Sequence, residues 1–286
     1  MKKTVAITGA RGYVGSMLSR HFEAAGWAVT RLSHTAGAGG TVAFQLGKDV
    51  SPELFRARTI GALVHCAYDF RPVKRAEIQR INVEGSRKLL TAARTGEVER
   101  IAVISTISAF EGCRSLYGRA KLEIEAAAAD VGALVVRAGL VYGDGDPTAG
   151  GMFGSLATSV RRGLVPLIDG GILPQYLIHE ADLWRLLKGF CDGELENPGQ
   201  PVVAASPQAW PLRDLLAELA RRQSRHPRFV TVPWLPVWVG LRVAELAHLP
   251  VPYRSDSVVS LVHQDRKPDF ESLRAVGITA RDFTAA

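Results

Sequence analysis

The chain has 286 residues, of which 47% are hydrophobic and 22% are charged, and its mean hydropathy is +0.07. This length and composition predict a folded chain with one sizeable core, or a core and a smaller lobe, and exclude a disordered or fibrous protein. The net charge of +7 is spread along the chain without an aromatic-basic motif, which favours a protein with phosphate-bearing ligands over a nucleic-acid binder.

Targeting and cysteine usage favour a cytoplasmic protein. Met-Lys-Lys leads directly into a strand-like run with no long apolar segment, so we expect no signal peptide. The longest apolar stretch, residues 229–241, contains two prolines and is too short to span a bilayer, so we expect no membrane partner. Cys66, Cys113 and Cys191 lack metal-ligand spacing and are expected to be reduced thiols; none of the histidines suggests a metal site.

The first half of the chain alternates short apolar runs with helix-like segments. The predicted strands are residues 4–8, 28–32, 62–65, 101–105 and 133–137, and the predicted helices include 14–25, 82–94 and 117–129. This alternation predicts βαβ units and a parallel sheet, and the uniformly apolar strands predict a sheet covered on both faces. After Gly139 a glycine-rich loop, YGDGDPTAGGMFG, interrupts the pattern. Helices 211–222 and 237–247 with Pro-rich connections then predict a smaller lobe.

The stretch TVAITGARGYVGSML places three glycines between an apolar strand and an amphipathic helix. Gly9 permits a tight turn, Gly12 lets the backbone approach a pyrophosphate, and Gly15 lets the helix pack against the strand. The helix N-terminus adds free N–H groups and the positive end of its dipole. The stretch predicts a dinucleotide site, and the alternative is a glycine-rich turn without a ligand.

The TGxxGxxG pattern resembles the extended short-chain dehydrogenase/reductase family, which includes sugar-nucleotide epimerases, dehydratases and reductases. LVHCAY, INVEGSRKLLTAA, LVVRAGLVYG and IHEADLWRLL are similar to successive segments of that family, with Ala138 in place of a usual proline. The resemblance covers the first two-thirds of the chain well and the tail loosely. It implies a Rossmann-type doubly wound parallel sheet with a smaller C-terminal substrate lobe. The nucleotide domain is expected to comprise residues 1–139 with about 174–205, and the lobe residues 140–173 and 206–286.

Tyr117 and Lys121 form the candidate catalytic pair. Residues four apart share a helix face, and a nearby ammonium is expected to lower the pKa of the phenol so that it can transfer a proton. The alternative is a surface helix whose Lys stem covers a Tyr. The resemblance implies that Thr106 holds the reacting oxygen and that Ser108 is a secondary substrate contact. Ser105 or Ser108 as the working hydroxyl is the alternative.

Two departures from the family pattern bear on the reaction. Thr106 and Tyr117 are only eleven positions apart, which shortens the loop between them. Family dehydratases carry an Asp-Glu pair directly after the Thr, where this chain has Ile107 and Ser108. Dehydration is therefore disfavoured.

The end of the second strand bears on the cofactor. Ser33 falls where NAD-preferring relatives carry an Asp, and Arg31 and His34 lie beside it. Arg11 falls where NADP-preferring relatives often carry a basic residue, which could bind a 2′-phosphate; the alternative is a solvated side chain. Gln45 falls where relatives bind the adenine amino group. NADP(H) is favoured and NAD(H) remains open. The resemblance places further cofactor contacts at Tyr13, Val14, Leu46, Cys66, Ala67, Tyr68, Asn82, Ser105 and Lys121.

Weaker signals concern the substrate and the assembly. Tyr142 and Arg254 are candidate substrate contacts, the latter in YRSDS. WLPVWVGL is interpreted as lobe core, with a hydrophobic substrate wall or a membrane-surface patch as alternatives. The resemblance implies a homodimer through helices 82–94 and 117–129.

The expected function is that of an NADP(H)-dependent oxidoreductase that interconverts a carbonyl and a secondary alcohol. The expected substrate is a small polar molecule, a nucleotide sugar, which would make the enzyme a keto-sugar reductase. A sugar-nucleotide epimerase with a retained cofactor is the first alternative, and a non-catalytic NAD(P)-binding subunit is the second.

Overall fold

The computed structural model of the protein describes residues 3–35, 37, 40–249 and 253–284. Its strands are β1 (Thr4–Thr8), β2 (Ala28–Ser33), β3 (Thr41–Ala43), β4 (Ala62–His65), β5 (Arg100–Thr106), β6 (Leu134–Ala138), β7 (Leu140–Tyr142), β8 (Leu164–Ile168), β9 (Pro174–Gln175), β10 (Leu177–His179), β11 (Val202–Ala204), β12 (Trp210–Pro211) and β13 (Arg228–Val232). Its helices are α1 (Tyr13–Ala24), α2 (Glu53–Arg56), α3 (Arg75–Ile78), α4 (Glu84–Thr95), α5 (Leu116–Asp130), α6 (Gly151–Ser159), α7 (Glu180–Asp192), α8 (Leu212–Arg222), α9 (Trp234–Leu246), α10 (Ser255–Val262) and α11 (Glu271–Ala275).

Seven strands form a parallel sheet in the order β11-β6-β5-β4-β1-β2-β3. Val5 of β1 pairs with Val29 of β2 on one side and with Ala62 of β4 on the other. The strand order reverses at β1, because β2 and β3 extend one way and β4, β5 and β6 the other. In open α/β sheets the ligand crevice lies at the carboxyl ends of the strands beside such a reversal. This Rossmann-type architecture confirms the predicted fold class.

Both faces of the sheet are buried, as its apolar strands predicted. Val5 and Ile7 pack with α1 and α7 on one face, whereas Ala6 and Leu63 pack with α4 and α5 on the other. Side chains alternate between the faces of a strand, so each strand supplies both cores. Burying a large apolar side chain contributes about 1.5–3 kcal/mol, which makes these two layers the main source of stability.

A second cluster of elements begins at the carboxyl end of β6, where β7 follows after Gly139 alone. In it β7 pairs with β10, β8 with β13 and β9 with β12, and Phe153 of α6, Leu215 of α8 and Phe283 share an apolar core with Leu167 of β8. These are the elements that carry the C-terminal part of the chain to the crevice.

The five predicted strands are present, with ends within one residue of the prediction. The predicted helix 82–94 begins at Glu84, because Gln79–Val83 before it forms a π-helical turn. The predicted helix 237–247 begins earlier, at Trp234, because Pro236 is accommodated in its first turn. Among the described residues, no helix combines the length and the apolar character needed to cross a bilayer.

Candidate active site

The glycine stretch forms the turn between β1 and α1. Gly9 has φ +64°, a left-handed conformation that side chains rarely adopt, and its carbonyl oxygen accepts from the Gly12 N–H over 2.8 Å. A Cβ on Gly15 would lie 2.3 Å from that same carbonyl oxygen. Only glycine at position 15 lets α1 approach the turn this closely, which agrees with the packing role that the spacing predicted.

The N-terminus of α1 is open to an anionic ligand. Its N-cap, Gly12, offers no side-chain hydrogen bond to the first turn, and both Gly12 and Arg11 are exposed. Helix amides in this turn have no acceptor within the helix and form the positive end of its dipole. These residues therefore fit the pyrophosphate of a dinucleotide, the group that the glycine spacing predicts.

The end of β4 lies directly against the glycine turn. A Cβ on Gly9 would lie 3.0 Å from the backbone N of Ala67. The Thr8 hydroxyl accepts from the backbone N–H groups of Cys66 and Ala67 at 3.0 and 3.1 Å, and it bonds His65 Nδ1 at 2.7 Å. Thr8 thus ties the carboxyl ends of β1 and β4 together, a role that the sequence analysis missed.

The ring of Tyr117 lies in an aromatic cluster at the crevice. Its centroid is 5.0 Å from that of Tyr68 and 5.6 Å from that of Phe70, which is 61% exposed. Lys121 Nζ lies 5.3 Å from the centroid of Tyr68 and 6.0 Å from that of Tyr117. The helix therefore brings the predicted pair together and adds an aromatic wall that contains the predicted contact Tyr68.

Burial dominates the proton affinity of this pair. It raises the pKa of Tyr117 to about 12, while a hydrogen bond with Thr106 acts in the opposite direction. Burial lowers the pKa of Lys121 to about 8, and its Nζ donates to the Ile104 carbonyl oxygen over 2.8 Å. The predicted lowering of the Tyr117 pKa by Lys121 is not found: burial raises this pKa, and the group that acts to lower it is Thr106.

Of the three candidate hydroxyls, that of Thr106 is the one that acts to lower the pKa of Tyr117. Ser105, on the same strand, faces the opposite way and donates to the buried carboxylate of Glu125, which Arg137 also contacts at 2.7 Å. The side chain of Ser105 is therefore structural, contrary to its predicted contact with the cofactor. Ser108 donates its backbone N–H to Thr106 Oγ1 over 3.2 Å and lies beside the pair.

Asn82 braces the chain just after β4, as the resemblance implied. Its side-chain oxygen accepts from the Asp69 N–H over 2.7 Å, and its amide donates to the Asp69 carbonyl oxygen over 3.0 Å. These two bonds hold the loop that carries Phe70. Asn82 therefore influences the site by holding this loop in place.

The residues that were predicted to bind the adenosine part of the cofactor differ in their contacts and in their exposure. Arg31 forms an ion pair with Glu23 of α1 at 2.6 Å, so its predicted role in cofactor binding is not supported. The Ser33 hydroxyl donates to the Thr35 carbonyl oxygen over 2.9 Å. His34 and Gln45 are exposed, Val14 is half-buried in the first turn of α1, and Leu46 is buried.

Two predicted substrate contacts are engaged elsewhere. Tyr142 is 6% exposed, and its ring packs edge-on against Phe283 at 5.0 Å in the core of the C-terminal elements. Arg254 Nε contacts Glu245 at 3.1 Å, and its Nη1 donates to the Phe70 carbonyl oxygen over 2.8 Å. Neither side chain is placed as predicted: one is core, and the other bridges α9 to the loop that carries Phe70.

The glycine-rich loop after β7 returns to the glycine turn. A Cβ on Gly150 or on Gly151 would lie 3.3 or 3.1 Å from the ring of Tyr13, in the first turn of α1. Glycine at both positions lets the chain pass over that ring. The loop therefore borders the crevice at the first turn of α1, where it passes over the Tyr13 ring.

Asp256 is a further site residue that no local pattern indicated. It lies in α10, and its carboxylate oxygens accept from the backbone N–H groups of Leu116 and Tyr117 over 2.7 and 2.9 Å. The N-cap of α5, Ser115, accepts from the Gly118 N–H over 3.1 Å. The start of α5 is thus held by a carboxylate from the C-terminal part of the chain.

A family model matches the part of the chain that contains the glycine turn and the Tyr117–Lys121 pair. The model of the NAD dependent epimerase/dehydratase family matches residues 5–171. The ceramide reductase of Caulobacter vibrioides (strain NA1000 / CB15N) is 30% identical over 196 residues, which cover 65% of this chain. The matched stretch spans 60% of that relative's own length.

Solved structures share the fold at low sequence identity. The structure of MoeE5 in complex with UDP-glucuronic acid and NAD superposes with a TM-score of 0.73 at 18% identity, covering 98% of this chain and 94% of that one. The UDP-glucose 4-epimerase of Thermotoga maritima with UDP-glucose has a TM-score of 0.65 at 18% identity, covering 80% and 85% of the two chains. At this identity the likeness concerns the fold.

Proposed function

The chain belongs to the NAD dependent epimerase/dehydratase family, and from that membership we propose that it is an NAD(P)H-dependent enzyme that reduces a ketone to a secondary alcohol. The observation that carries the proposal is the placement of Tyr117 in one crevice with Thr106, which lies at the carboxyl end of β5 and acts to lower the Tyr117 pKa, and with Lys121, whose Nζ lies 6.0 Å from the centroid of the Tyr117 ring. Two hydroxyls and an ammonium in one crevice are the groups that carbonyl reduction requires.

The protonation state of Tyr117 favours reduction. A phenol with a pKa of about 12 is protonated at neutral pH and can give its proton to the oxygen of a bound ketone. When bound, the reduced nicotinamide supplies the hydride that the carbonyl carbon receives. An epimerase must first remove a proton from a substrate hydroxyl, and the burial that raises the pKa of Tyr117 acts against that step. Thr106 orients the same oxygen, and solvent restores the proton of Tyr117.

The cofactor that we propose is NADP(H). Gly12 and the first turn of α1 would hold the pyrophosphate, and Lys121 would hold the nicotinamide ribose. Arg11 forms no hydrogen bond or ion pair within the described residues, so its guanidinium is available to a 2′-phosphate. The end of β2 carries Ser33 in place of a carboxylate that would repel that phosphate. NAD, the cofactor present in the MoeE5 structure, is the alternative.

The substrate that we propose is a ketone with an apolar group beside the carbonyl. Tyr68 and Phe70 form an apolar wall against Tyr117. Arg254, which was expected to contact the substrate, is engaged with Glu245 and with the Phe70 carbonyl oxygen. The name of the ceramide reductase supports an amphiphilic ketone. The nucleotide-sugar ketone expected from the sequence is the second candidate, favoured by the UDP-sugar in the MoeE5 structure.

Consumption of reduced cofactor tests the reaction. The purified chain is supplied with NADPH or NADH and either a long-chain α-acylamino ketone in detergent or a UDP-keto-hexose. We expect cofactor oxidation that matches the alcohol formed, and a loss of about 10²–10⁴-fold in kcat in Tyr117→Phe. Tyr176→Phe, which removes a hydroxyl bonded to the Arg266 carbonyl oxygen outside the site, is the matched control.

Two outcomes would overturn the proposal. Interconversion of sugar isomers without net cofactor consumption would identify an epimerase. Binding of the cofactor together with full biological activity in Tyr117→Phe would identify a non-catalytic subunit.

A further inference from the structure

Helix α9 contains WLPVWVGL, which was interpreted from the sequence as lobe core, but the one buried residue of this helix is the acid Glu245. The apolar side chains of α9 are half-buried or exposed, so the interpretation as core is not supported. A buried carboxylate is unfavourable in a folded protein unless hydrogen-bond donors surround it. The donors around Glu245 therefore show what this helix supports.

The Glu245 carboxylate is held by donors from α9 and from the start of α10. It accepts from the Ser255 N–H over 2.8 Å, from the Ser255 hydroxyl over 2.7 Å and from Arg254 Nε over 3.1 Å. Arg242, one turn earlier in α9, contacts it at 3.4 Å. The side chain of Glu245 is only 5% exposed. A carboxylate fixed in this way also fixes the direction of the Arg254 guanidinium.

The two outer nitrogens of Arg254 reach the loop between β4 and α3. Nη1 donates to the Phe70 carbonyl oxygen over 2.8 Å, and Nη2 donates to the Pro72 carbonyl oxygen over 3.3 Å. A guanidinium is planar and carries its donors in a fixed fork, so it can bond a carboxylate with one nitrogen and two carbonyl oxygens with the others. Arg254 therefore sets the position of residues 70–72 relative to α9.

Phe70 is the residue of this loop that lies beside the candidate catalytic group. Its ring is 61% exposed, and its centroid lies 5.6 Å from that of Tyr117, with 34° between the two ring planes. Asn82 holds Asp69, at the start of the loop, through two hydrogen bonds. Arg254 supplies the second fixed point, at Phe70 itself and beyond it. The loop thus presents an apolar face next to the phenol in one defined position.

We propose that Arg254 is a positioning residue that sets the selectivity of the site for the group beside the ketone, because it fixes the Phe70 ring next to Tyr117. This proposal rests on the proposed function, since it concerns the substrate of that reaction. The group selected is an alkyl chain, which leaves water when it packs on the exposed Phe70 ring. A hydroxylated sugar ring in the same place would give up hydrogen bonds to water without replacing them. Arg254 thus acts through Phe70, whereas the sequence predicted that it contacts the substrate itself.

The dependence of ketone reduction on chain length tests the proposal. Methyl ketones whose alkyl chains run from ethyl to octyl are supplied to the purified chain with NADPH or NADH. We expect kcat/KM of the wild type to rise about twofold with each methylene group, because each is partly removed from water. The ratio of kcat/KM for the octyl and ethyl ketones is expected to fall about tenfold in Phe70→Ala and in Arg254→Gln. Arg242→Gln, which removes the other arginine at Glu245, is the matched control and keeps the wild-type ratio.

A double variant separates positioning from a general effect on the fold. If Arg254 acts through Phe70, the ratio in Arg254→Gln/Phe70→Ala equals that in Phe70→Ala alone. Hydrogen exchange gives a readout that does not depend on the reaction: the amides of residues 69–74 should exchange about tenfold faster in Arg254→Gln and at the wild-type rate in Arg242→Gln. Thermal melting checks that each variant is folded. Arg254→Lys, which keeps the charge but lacks the planar fork, replaces Arg254→Gln if that variant does not fold.

The outcomes distinguish this proposal from the proposed function. The proposal is overturned if Arg254→Gln changes kcat/KM of all the ketones by one common factor. It is equally overturned if the effects of the two substitutions on the ratio multiply in the double variant, or if Phe70→Ala keeps the wild-type ratio. No oxidation of NADPH or NADH with any of these ketones, with the α-acylamino ketone or with the UDP-keto-hexose would instead refute the proposed function on which this proposal rests.

Discussion

The carboxylate of Asp256 accepts a hydrogen bond from the backbone N–H of Tyr117 over 2.9 Å, although the two residues are 139 positions apart. The same carboxylate accepts from the Leu116 N–H over 2.7 Å. An acid at a helix N-terminus satisfies amides that have no partner in the helix and interacts favourably with the dipole. Asp256 is thus a positioning residue, which fixes the first turn of α5 and with it the phenol.

Replacing Asp256 is expected to slow the reaction more than it weakens binding of the cofactor. We expect Asp256→Ala to lower kcat by about tenfold while the Kd for the reduced cofactor stays within about twofold, since the phenol loses its alignment. Asp256→Asn keeps one acceptor oxygen and retains most of the activity. The control is Asp130→Ala, which removes an exposed acid at the other end of the same helix. Equal losses of kcat in the two alanine variants would contradict the positioning role.

Arg11 is expected to determine the preference between the two nicotinamide cofactors. We expect Arg11→Ala to weaken binding of NADPH by about tenfold or more, because a charged hydrogen bond to the 2′-phosphate is lost, and to leave NADH binding unchanged. Fluorescence titration with each cofactor measures this. Arg20→Ala, which removes an exposed arginine in α1, the helix that follows Arg11, should have no such selectivity. A parallel loss for both cofactors would show that Arg11 does not read the phosphate.

Gly15 is expected to tolerate no side chain. The Cβ of Gly15→Ala would lie 2.3 Å from a backbone oxygen, so we expect a loss of about 2–4 kcal/mol in the free energy of unfolding and weaker cofactor binding. Gly240 lies in α9 with no atom within 4 Å of an added Cβ. Gly240→Ala should therefore gain about 0.5–1 kcal/mol from helix propensity. Urea unfolding of the wild type and both variants measures these changes. A Gly15→Ala variant as stable as the wild type would refute the close approach of α1 to the Gly9 carbonyl oxygen.

His65 is expected to make the fold sensitive to acid. It is buried between the hydroxyls of Thr8 and Ser86, at 2.7 and 2.8 Å, and burial lowers its pKa from 6.5 to about 3. The unfolded chain takes up a proton below about pH 6.5 and the folded chain does not, so this contribution to stability is lost as the pH falls. Between pH 7 and pH 5 we expect it to reduce the free energy of unfolding by about 2 kcal/mol.

The comparison with His65→Gln isolates that contribution. Both proteins lose stability in acid through their carboxyl groups, but the variant lacks the proton uptake at position 65. The difference between the two free energies of unfolding should therefore narrow from pH 7 to pH 5. If the two curves stay parallel, His65 is not the group responsible.

The short strands of the C-terminal part could not be predicted from local patterns. β7 and β10 have three residues each, and β9 and β12 two each, which is too short for an alternation of apolar and polar residues to stand out. β8 and β13 pair with each other across more than sixty intervening residues, as Leu164 does with Arg228. Such pairs form because the rest of the fold brings the segments together.

In the candidate site, too, some residues could be predicted from local spacing and others could not. Gly9, Gly15, Tyr117 and Lys121 lie near one another along the chain or repeat at a helical spacing, so their arrangement could be predicted. The Ser105 side chain, one residue from Thr106, bonds Glu125 in helix α5. No local signal distinguishes the two hydroxyls in advance.

The sequence by itself determined the parallel sheet, the glycine turn and the tyrosine–lysine pair, because periodicity and steric freedom are properties of neighbouring residues. Only the tertiary structure decided that Arg254 bridges α9 to the crevice, that Tyr142 lies in a core, that burial raises the pKa of Tyr117 and that Asp256 holds the start of α5. Desolvation and long-range hydrogen bonds depend on which distant segments come together, and no stretch of sequence contains that information alone.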